Sequence, residues 1–323
     1  MNEMGSMRLI KPRRYPQLNG TVATIGNFDG VHLGHRHVIE ALASKGKRLG
    51  LPVTVVLFEP QPLEYFLGDK APARLTRLRE KLARLKELPV DWVMPLKFDR
   101  SLASLSALEF INQVLLDKLG VKHLVVGDDF HFGRGREGDF HLLQQVGARN
   151  GFDVVSTPTF ELNGIRVSST AIRRALEQGD LRLAETLLGR PYSFCGRVVS
   201  GAQRGRDLGF PTANINLSRK KSPISGVFAV TVSGVNDKPW PGVANVGIRP
   251  TVEGNQKVLL EVHLFDFDGD IYGRMVEVFF HHKIREEMRF PSLEALRKQI
   301  ENDVAKARNL LQSQENQWIT NKP

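Results

Sequence analysis

The sequence is poor in cysteine, with Cys195 alone among 323 residues. One thiol cannot form an internal disulfide, and it excludes a cysteine-rich zinc site. The chain also lacks any apolar run near the ~20 residues of a membrane-spanning helix, and its basic start has no signal-peptide core. We therefore expect a cytoplasmic protein with no membrane partner.

Acidic residues are outnumbered, since 45 Lys and Arg face 35 Asp and Glu and give a net charge of +10. Such an excess can neutralise phosphates. The arginines are nevertheless scattered along helical stretches, and no DNA- or RNA-binding motif is present. We expect small anionic substrates and no nucleic-acid partner. The sequence leaves the oligomeric state open between a monomer and a transient homo-oligomer.

The first half alternates short apolar runs with helical stretches. Continuous apolar runs of this kind are typical of strands buried on both faces of a parallel sheet. Residues 73–88 carry leucines three or four apart and predict a helix, and Ser106 with Glu109 predicts a capping box at the start of another. The pattern predicts a doubly wound α/β domain over residues 1–186. The predicted strands are Val22–Ile25, Val53–Phe58, Trp92–Leu96, His123–Val126 and Val154–Ser156.

The second half, residues 187–323, changes to strands punctuated by glycine and proline. Consecutive strands without crossover helices pair antiparallel, and closing them into a barrel removes exposed edges. A final helix starts at Pro291-Ser292, with an apolar stripe from Leu293 to Leu311 that we expect to pack on the barrel. The predicted strands are Tyr192–Ser200, Val227–Ser233, Val243–Val246, Lys257–Phe265 and Met275–Ile284.

A glycine-rich stretch, Gly26–His35, follows the first strand and opens the first helix. Unpaired N–H groups and the helix dipole favour an anion at such a place. His32 and His35 are three residues apart, so both project to one side of the first turn. Two imidazoles there can donate hydrogen bonds to a triphosphate. The alternatives are two structural histidines at a turn or two metal ligands. Candidate nucleotide-binding positions of this stretch are Gly26, Phe28, Asp29 and Gly30.

Three further loops of the first half are candidates for the same site. Arg166–Arg173 offers hydroxyls and guanidinium groups at a helix start, with a simple Ser/Thr cap as the alternative. Asp129 follows the fourth strand, where it can orient a nucleotide or cap a turn. Phe58 and Pro60 end a strand and can line a flat ring pocket or form an ordinary loop. The candidates in Arg166–Arg173 are Arg166, Ser169, Thr170 and Arg173.

The second half carries a different glycine loop, Gly205–Asn214. Thr212 and Asn214 flank one residue and face the same way on an extended chain, where their oxygens suit Mg²⁺; strand-edge hydrogen bonding is the alternative. Glu261, in a predicted strand, can accept a proton from a substrate hydroxyl or be merely solvated. The remaining candidates for substrate or nucleotide binding are Gly205, Arg206, Gly209, Phe210, Pro211 and Arg285.

Taken in order along the chain, these blocks resemble the bacterial bifunctional riboflavin kinase/FAD synthetases. The Gly-Phe-Pro-Thr-Ala-Asn block at residues 209–214 is the most specific, and it stands beside the H-x-G-H-type element at 32–35. The resemblance extends from about Val22 to the final helix.

The resemblance implies two reactions. The second domain moves the γ-phosphate of ATP to riboflavin, giving FMN, with Glu261 as the general base and Thr212 and Asn214 holding Mg²⁺ and phosphates. The first domain joins the adenylyl group of a second ATP to FMN, giving FAD and pyrophosphate. Asp129 would seat the nucleotide or flavin. The implied triphosphate contacts are His32, His35, Arg166, Ser169, Thr170 and Arg173.

Two other hypotheses fit the residues. One is a nucleotidyltransferase for another phosphorylated metabolite, with the barrel as a specificity module. The other is a basic flavin- or nucleic-acid-binding protein without catalysis, which would show steep salt dependence.

Overall fold

The computed structural model describes residues 7–10, 20–157, 159–201, 209–250 and 256–320. The chain divides into two compact units. The first comprises Met1–Pro72 and Thr76–Ser168, and the second comprises Ala73–Leu75 and Ser169–Pro323.

The first unit is built on a parallel sheet of six strands in the order β1-β4-β3-β2-β5-β6. Each of the five predicted strands of this half is present within one or two residues of its predicted ends. Their continuous apolar sequences fit because the central strands β2 and β3 are buried almost throughout. The strands are β1 (Arg8–Leu9), β2 (Thr21–Gly26), β3 (Val53–Glu59), β4 (Trp92–Lys97), β5 (Val121–Val126) and β6 (Asp153–Ser156). A separate hairpin consists of β7 (Glu161–Leu162) and β8 (Ile165–Arg166).

Helices cover both faces of this sheet, so the predicted doubly wound architecture is confirmed. On one face Ile39 and Leu85 pack on Val55 and Leu57, and on the other Phe110 packs in a cluster from the opposite side of the same strands. The helices are α1 (Leu33–Leu49), α2 (Pro62–Leu67), α3 (Leu78–Leu85), α4 (Arg100–Ala103), α5 (Ala107–Phe110) and α6 (Phe140–Asn150).

The helix predicted over residues 73–88 is present only as α3. Its first part, Ala73–Leu75, is a non-helical segment of the second unit, and its backbone carbonyls accept hydrogen bonds from other residues of that unit. Arg173 Nε donates to Ala73 O at 2.7 Å, Arg219 to Arg74 O at 2.7 Å, and Tyr192 Oη to Leu75 O at 3.0 Å. These tertiary partners outweigh the helical periodicity of the leucines.

The predicted capping box at Ser106 is confirmed, because Ser106 Oγ accepts the backbone N–H of Glu109 and the Glu109 carboxylate accepts that of Ser106. The helix that it starts is short. After Phe110 it widens into a π-helical stretch, Ile111–Leu116.

The second unit contains two helices, α7 (Ser169–Glu177) and α8 (Leu181–Leu188), and then the predicted antiparallel barrel, which closes in the order β10-β13-β12-β11-β14-β9. Its interior is filled by Phe194, Phe228 and Phe280, whose rings meet edge to face at 5.3 and 5.4 Å. Strand β12 is longer than predicted. The barrel strands are β9 (Tyr192–Val199), β10 (Ala213–Asn216), β11 (Gly226–Ser233), β12 (Trp240–Pro250), β13 (Gln256–Leu264) and β14 (Met275–Arg285).

The final helix, α9 (Leu293–Thr320), packs on the outer wall of the barrel, as predicted. Val304, Ala307 and Leu311 contact Val227 and its neighbours. The predicted apolar stripe is wrong at its first member, since Leu293 is 72% exposed. Among the described residues, no helix is both long and apolar enough to cross a membrane.

Candidate active sites

The first unit has an open cavity of about 200 Å³ at the carboxyl ends of β2 and β5. In the sheet, β2 lies between β3 and β5. The chain continues from β2 to β3 and β4 on one side and then crosses to β5 and β6 on the other, so the strand order reverses between β2 and β5. Ligands of open α/β sheets bind at such a switch point. Predicted site residues that line the cavity are Gly26, Phe28, His32, His35, Asp129 and Arg166.

His32 and His35 form a reciprocal cap at the start of α1. His32 Nδ1 accepts the backbone N–H of His35 at 3.3 Å, and His35 Nδ1 accepts that of His32 at 3.3 Å. Their rings stack with centroids 3.6 Å apart. The prediction that both side chains lie on one side of the first turn is therefore confirmed.

This cap fixes the tautomer of both imidazoles. A ring nitrogen that accepts a hydrogen bond carries no proton, so each neutral ring has its proton on Nε2. Both rings thereby become Nε2–H donors at a helix N-terminus that borders the cavity, where the helix dipole also favours negative charge. The pair is suited to binding phosphate oxygens.

The turn before α1 is held by a second, buried contact. Thr76 donates its backbone N–H to Asp29 Oδ1 at 2.9 Å, and its hydroxyl donates to the same oxygen at 3.2 Å while accepting Gly30 N–H at 2.9 Å. Phe28 and Val31 in this turn have positive φ values of 46° and 43°. Asp29 is only 1% exposed, so its described contacts hold the strained turn in place.

Two predicted residues approach the cavity from other loops. Asp129 is exposed. Its Oδ1 lies close to Gly127, where a Cβ on residue 127 would be only 2.8 Å from that oxygen. Arg166 ends β8 and is also exposed at the cavity, where it places a positive charge.

The structure leaves other predicted residues outside the group that lines this cavity. Phe58 is buried at the end of β3 and meets Phe98 edge to face at 5.7 Å, and Pro60 follows the same strand. Ser169 and Thr170 begin α7, which belongs to the second unit, and Arg173 on that helix binds the Ala73 carbonyl.

The outer wall of the barrel places Glu261 in a polar row. Register puts Asn214 of β10 directly opposite it on one side and Asn245 of β12 on the other. Residues directly opposite in antiparallel strands share a face and lie about 5 Å apart. Leu260 and Val262 are buried inside the barrel, so Glu261 points to the outer face.

A backbone gap accommodates the amide of Asn214. A Cβ at position 201 would overlap the Asn214 amide. The amide can occupy this space because residue 201 is glycine. Thr212 immediately precedes β10 and lines a cavity of about 100 Å³ together with Pro211. The carbonyl of Pro211 is held at 2.9 Å by His263 Nδ1, on the same face of β13 as Glu261.

Residues Gly205 and Arg206 lie outside the described part of the chain, whereas Gly209 and Phe210 lie within it. Gly209 has a φ of 85°, and the Phe210 ring meets His263 edge to face at 5.4 Å. No group of three or more His, Cys, Asp or Glu suited to a metal occurs among the described residues.

Arg285 sits at the end of β14 in a bidentate ion pair. Its Nε lies 3.1 Å from Asp303 Oδ1 and its Nη2 lies 2.8 Å from Asp303 Oδ2. Asp303 and Thr76 were not among the residues singled out from the sequence, since each acts on a partner far away along the chain.

The first unit has a cavity at the switch point of a doubly wound sheet, and the second has a row of polar side chains on a barrel wall. Together the two sites define a two-domain enzyme that handles phosphorylated ligands. The FAD synthetase family model matches residues 15–171, and the riboflavin kinase model matches residues 188–311. The chain belongs to the family of bifunctional riboflavin kinase/FMN adenylyltransferases.

Individual relatives carry the same description. The bifunctional riboflavin kinase/FMN adenylyltransferase of Escherichia coli (strain K12) is 56% identical over 90% of this chain and 92% of its own length. That of Pseudomonas fluorescens is 53% identical over 91% and 94%. Membership of this family replaces the two alternative hypotheses drawn from the sequence.

The fold also resembles a crystal structure described as a macrolide-efflux protein from Streptococcus pneumoniae. The TM-score is 0.78 at 30% identity, covering 94% of this chain and 99% of that one. This match supports the two-domain fold; the efflux description belongs to that protein.

Proposed function

We propose that this chain makes FMN and FAD in two consecutive steps at the two sites described above. The observation that carries the proposal is the pairing of a histidine-capped helix at the switch point with the Asn214–Glu261–Asn245 row on the barrel. We assign FAD synthesis to a domain of residues 1–186 and riboflavin phosphorylation to a domain of residues 187–323. The riboflavin kinase match, which begins at residue 188, supports the start of the second domain.

In the kinase step, Glu261 accepts the proton of the riboflavin 5′-hydroxyl. The hydroxyl oxygen bonds to the γ-phosphorus of ATP as the bond between that phosphorus and the β–γ bridging oxygen breaks, and ADP leaves. A carboxylate in this role contributes by taking the proton as the new bond forms. Phosphoryl transfer otherwise needs positioning and charge neutralisation, so the mechanism uses no nucleophilic protein side chain.

Mg²⁺ fits the oxygen donors beside Glu261. Thr212 supplies a hydroxyl and Asn214 an amide oxygen, and the space above Gly201 accommodates that amide. Mg²⁺ prefers oxygen ligands, keeps several waters and is shared with phosphates, so two neutral protein ligands suffice. When bound, the ion neutralises phosphate charge. Phe210 and Pro211, next to Thr212, are proposed to contact the same nucleotide.

In the adenylylation step, a phosphate oxygen of FMN attacks the α-phosphorus of ATP, and pyrophosphate leaves. The Nε2–H groups of His32 and His35 donate to phosphate oxygens on which negative charge accumulates. Arg166 and the first turn of α1 add positive potential at the cavity, and Asp129 is proposed to contact the nucleotide or the flavin. Ser169, Thr170 and Arg173 are retained as proposed triphosphate contacts.

We also propose a cytoplasmic location, with riboflavin, FMN and ATP as the partners and without a nucleic-acid partner. The single cysteine and the scattered arginines support this.

The test uses the purified chain with riboflavin, ATP and MgCl₂, and chromatography of FMN and FAD. We expect both products from the wild type. Glu261→Gln should lose FMN formation by at least about 100-fold while still converting added FMN to FAD. Glu294→Gln, an exposed carboxylate on α9, is the matched control. Absence of both products from the wild type would reject the proposed function.

A further inference from the structure

Helix α9 makes a buried ionic contact with the last barrel strand. Asp303 is only 4% exposed, and both of its oxygens accept from Arg285 Nε, at 3.1 and 2.9 Å. Gln299, one turn earlier on α9, donates to Asp303 Oδ1 at 2.8 Å. A paired, hydrogen-bonded carboxylate of this kind is costly to disrupt on one side only.

Arg285 belongs to the same row of the barrel wall as the proposed base. Register places Arg285 opposite Val227, Val227 opposite Asn245, and Asn245 opposite Glu261. Neighbouring strands lie about 4.8 Å apart, so the row spans roughly 14 Å from the ion pair to the base.

The chain that leaves Arg285 turns back over this wall. Arg285 Nη1 donates to Glu286 O at 2.9 Å, and its guanidinium lies 5.6 Å from the Phe290 ring centroid. Between these two points Glu287 lays its carboxylate over Gly247, where a Cβ would overlap it. Gly247 is two residues from Asn245 on β12, so this carboxylate lies on the outer face about 7 Å along from the row.

We propose that Asp303 is a positioning residue of the kinase site. By clamping Arg285 it fixes the course of residues 286–290 and thereby the place of the Glu287 carboxylate beside the Asn245–Glu261 row. The inference rests on the proposed kinase function. Thr212 and Asn214 stand on the β10 side of Glu261. The acceptor hydroxyl attacks the γ-phosphorus from the side opposite the leaving group, so it occupies the β12 side, which residues 286–290 border.

This arrangement predicts different effects on the KM for riboflavin and the KM for ATP. Loss of the Asp303 charge should loosen the segment on the acceptor side and leave the nucleotide side in place. We expect Asp303→Asn to raise the KM for riboflavin about tenfold, with the KM for ATP changed less than about twofold. A purely structural role would lower the amount of active enzyme and leave both KM values unchanged.

The chain offers a matched control on the same helix. Arg308 of α9 makes a bidentate pair with Asp266, at 2.7 and 2.9 Å, and lies 4.4 Å from the Phe265 ring centroid. Asp266→Asn removes an α9–barrel ion pair that does not involve residues 285–290. We expect it to leave both KM values at the wild-type level.

A second variant keeps the test valid if Asp303→Asn folds poorly. Gln299→Glu combined with Asp303→Asn places a carboxylate at the position that now contacts Asp303, within reach of Arg285. It should restore the riboflavin KM to within about threefold of wild type. FMN-to-FAD conversion by each variant reports on the folding of the first domain.

An unchanged riboflavin KM in Asp303→Asn, an equal rise in Asp266→Asn, or no recovery in the double variant would overturn the role of Asp303. None of these results affects the proposed function, which is rejected if the wild type forms neither FMN nor FAD.

Discussion

The rings of His32 and His35 stack at 3.6 Å while each Nδ1 accepts the backbone N–H of the other residue. The pair therefore has two roles that can be separated. Nδ1 caps α1, and Nε2 is proposed to donate to phosphate. The same two side chains set the local fold and carry the proposed chemistry.

Substitution of His32 distinguishes these roles. Asparagine caps helices well, whereas alanine does not, so His32→Ala should be about 1 kcal/mol less stable than His32→Asn. Both variants lose the Nε2–H donor, and both should lose FAD synthesis by about 100-fold or more. Urea unfolding and FMN-to-FAD conversion measure the two effects. Full FAD synthesis by His32→Asn would show that the ring serves only as a cap.

Thr76→Val should weaken the turn that precedes α1. The valine side chain has the same shape but cannot accept from Gly30 or donate to Asp29, and loss of such buried hydrogen bonds costs about 1–3 kcal/mol. We expect lower stability and slower FAD synthesis, with riboflavin phosphorylation unchanged. Thr76→Ser keeps the hydroxyl and is the control. Equal stability of the valine and serine variants would contradict the anchoring role.

Gly201→Ala tests the proposed magnesium ligand. The new methyl group overlaps the Asn214 amide, which must rotate away because it is a side-chain end and can move cheaply. The Mg²⁺ concentration for half-maximal kinase activity should rise about tenfold, while the melting temperature changes little. Ser200→Ala, at the exposed neighbouring position, should match the wild type. An unaltered Mg²⁺ requirement would remove Asn214 from the metal site.

His281 should make the second domain sensitive to acid. Burial, aided by the neighbouring His282, lowers the pKa of His281 from 6.5 to about 4, and its Nε2 lies 2.8 Å from Thr231 Oγ1. Because the folded state binds the proton more weakly than the unfolded state, this contribution is full above pH 6.5 and is lost as the pH falls towards 4.

Between pH 7 and pH 5 the His281 contribution amounts to at most about 2 kcal/mol of unfolding free energy. His281→Gln should lose less stability than the wild type over this interval in urea titrations. His141→Gln, an exposed histidine, is the control and should follow the wild type. A wild-type stability that does not fall between these pH values would contradict the burial of a neutral His281.

Local patterns in the sequence were sufficient for most of the fold. The central strands of the sheet are continuous apolar runs because both faces are covered, and Ser106 and Glu109 meet because they are three residues apart. The first turn of the helix predicted over residues 73–88 is absent because Arg173, Arg219 and Tyr192, about 100 or more residues away, bind its carbonyls. No local pattern contains that information.

The same distinction applies to the sites. His32 and His35 are close in sequence, so their shared face could be predicted. The alignment of Asn214, Asn245 and Glu261 depends on strand register, and the contacts of Thr76 and Asp303 depend on distant partners. Such contacts arise only once the chain has folded.

The phenyl rings of Phe194, Phe228 and Phe280 fill the barrel, so the proposed reacting groups lie on the outside of its wall. Along β13, residues 260 and 262 point inward and residues 261 and 263 outward. The packing that stabilises the barrel and the proposed chemistry thus depend on alternate residues of one strand. Substitutions that improve the packing of the interior can accumulate without displacing the groups that are proposed to perform the chemistry.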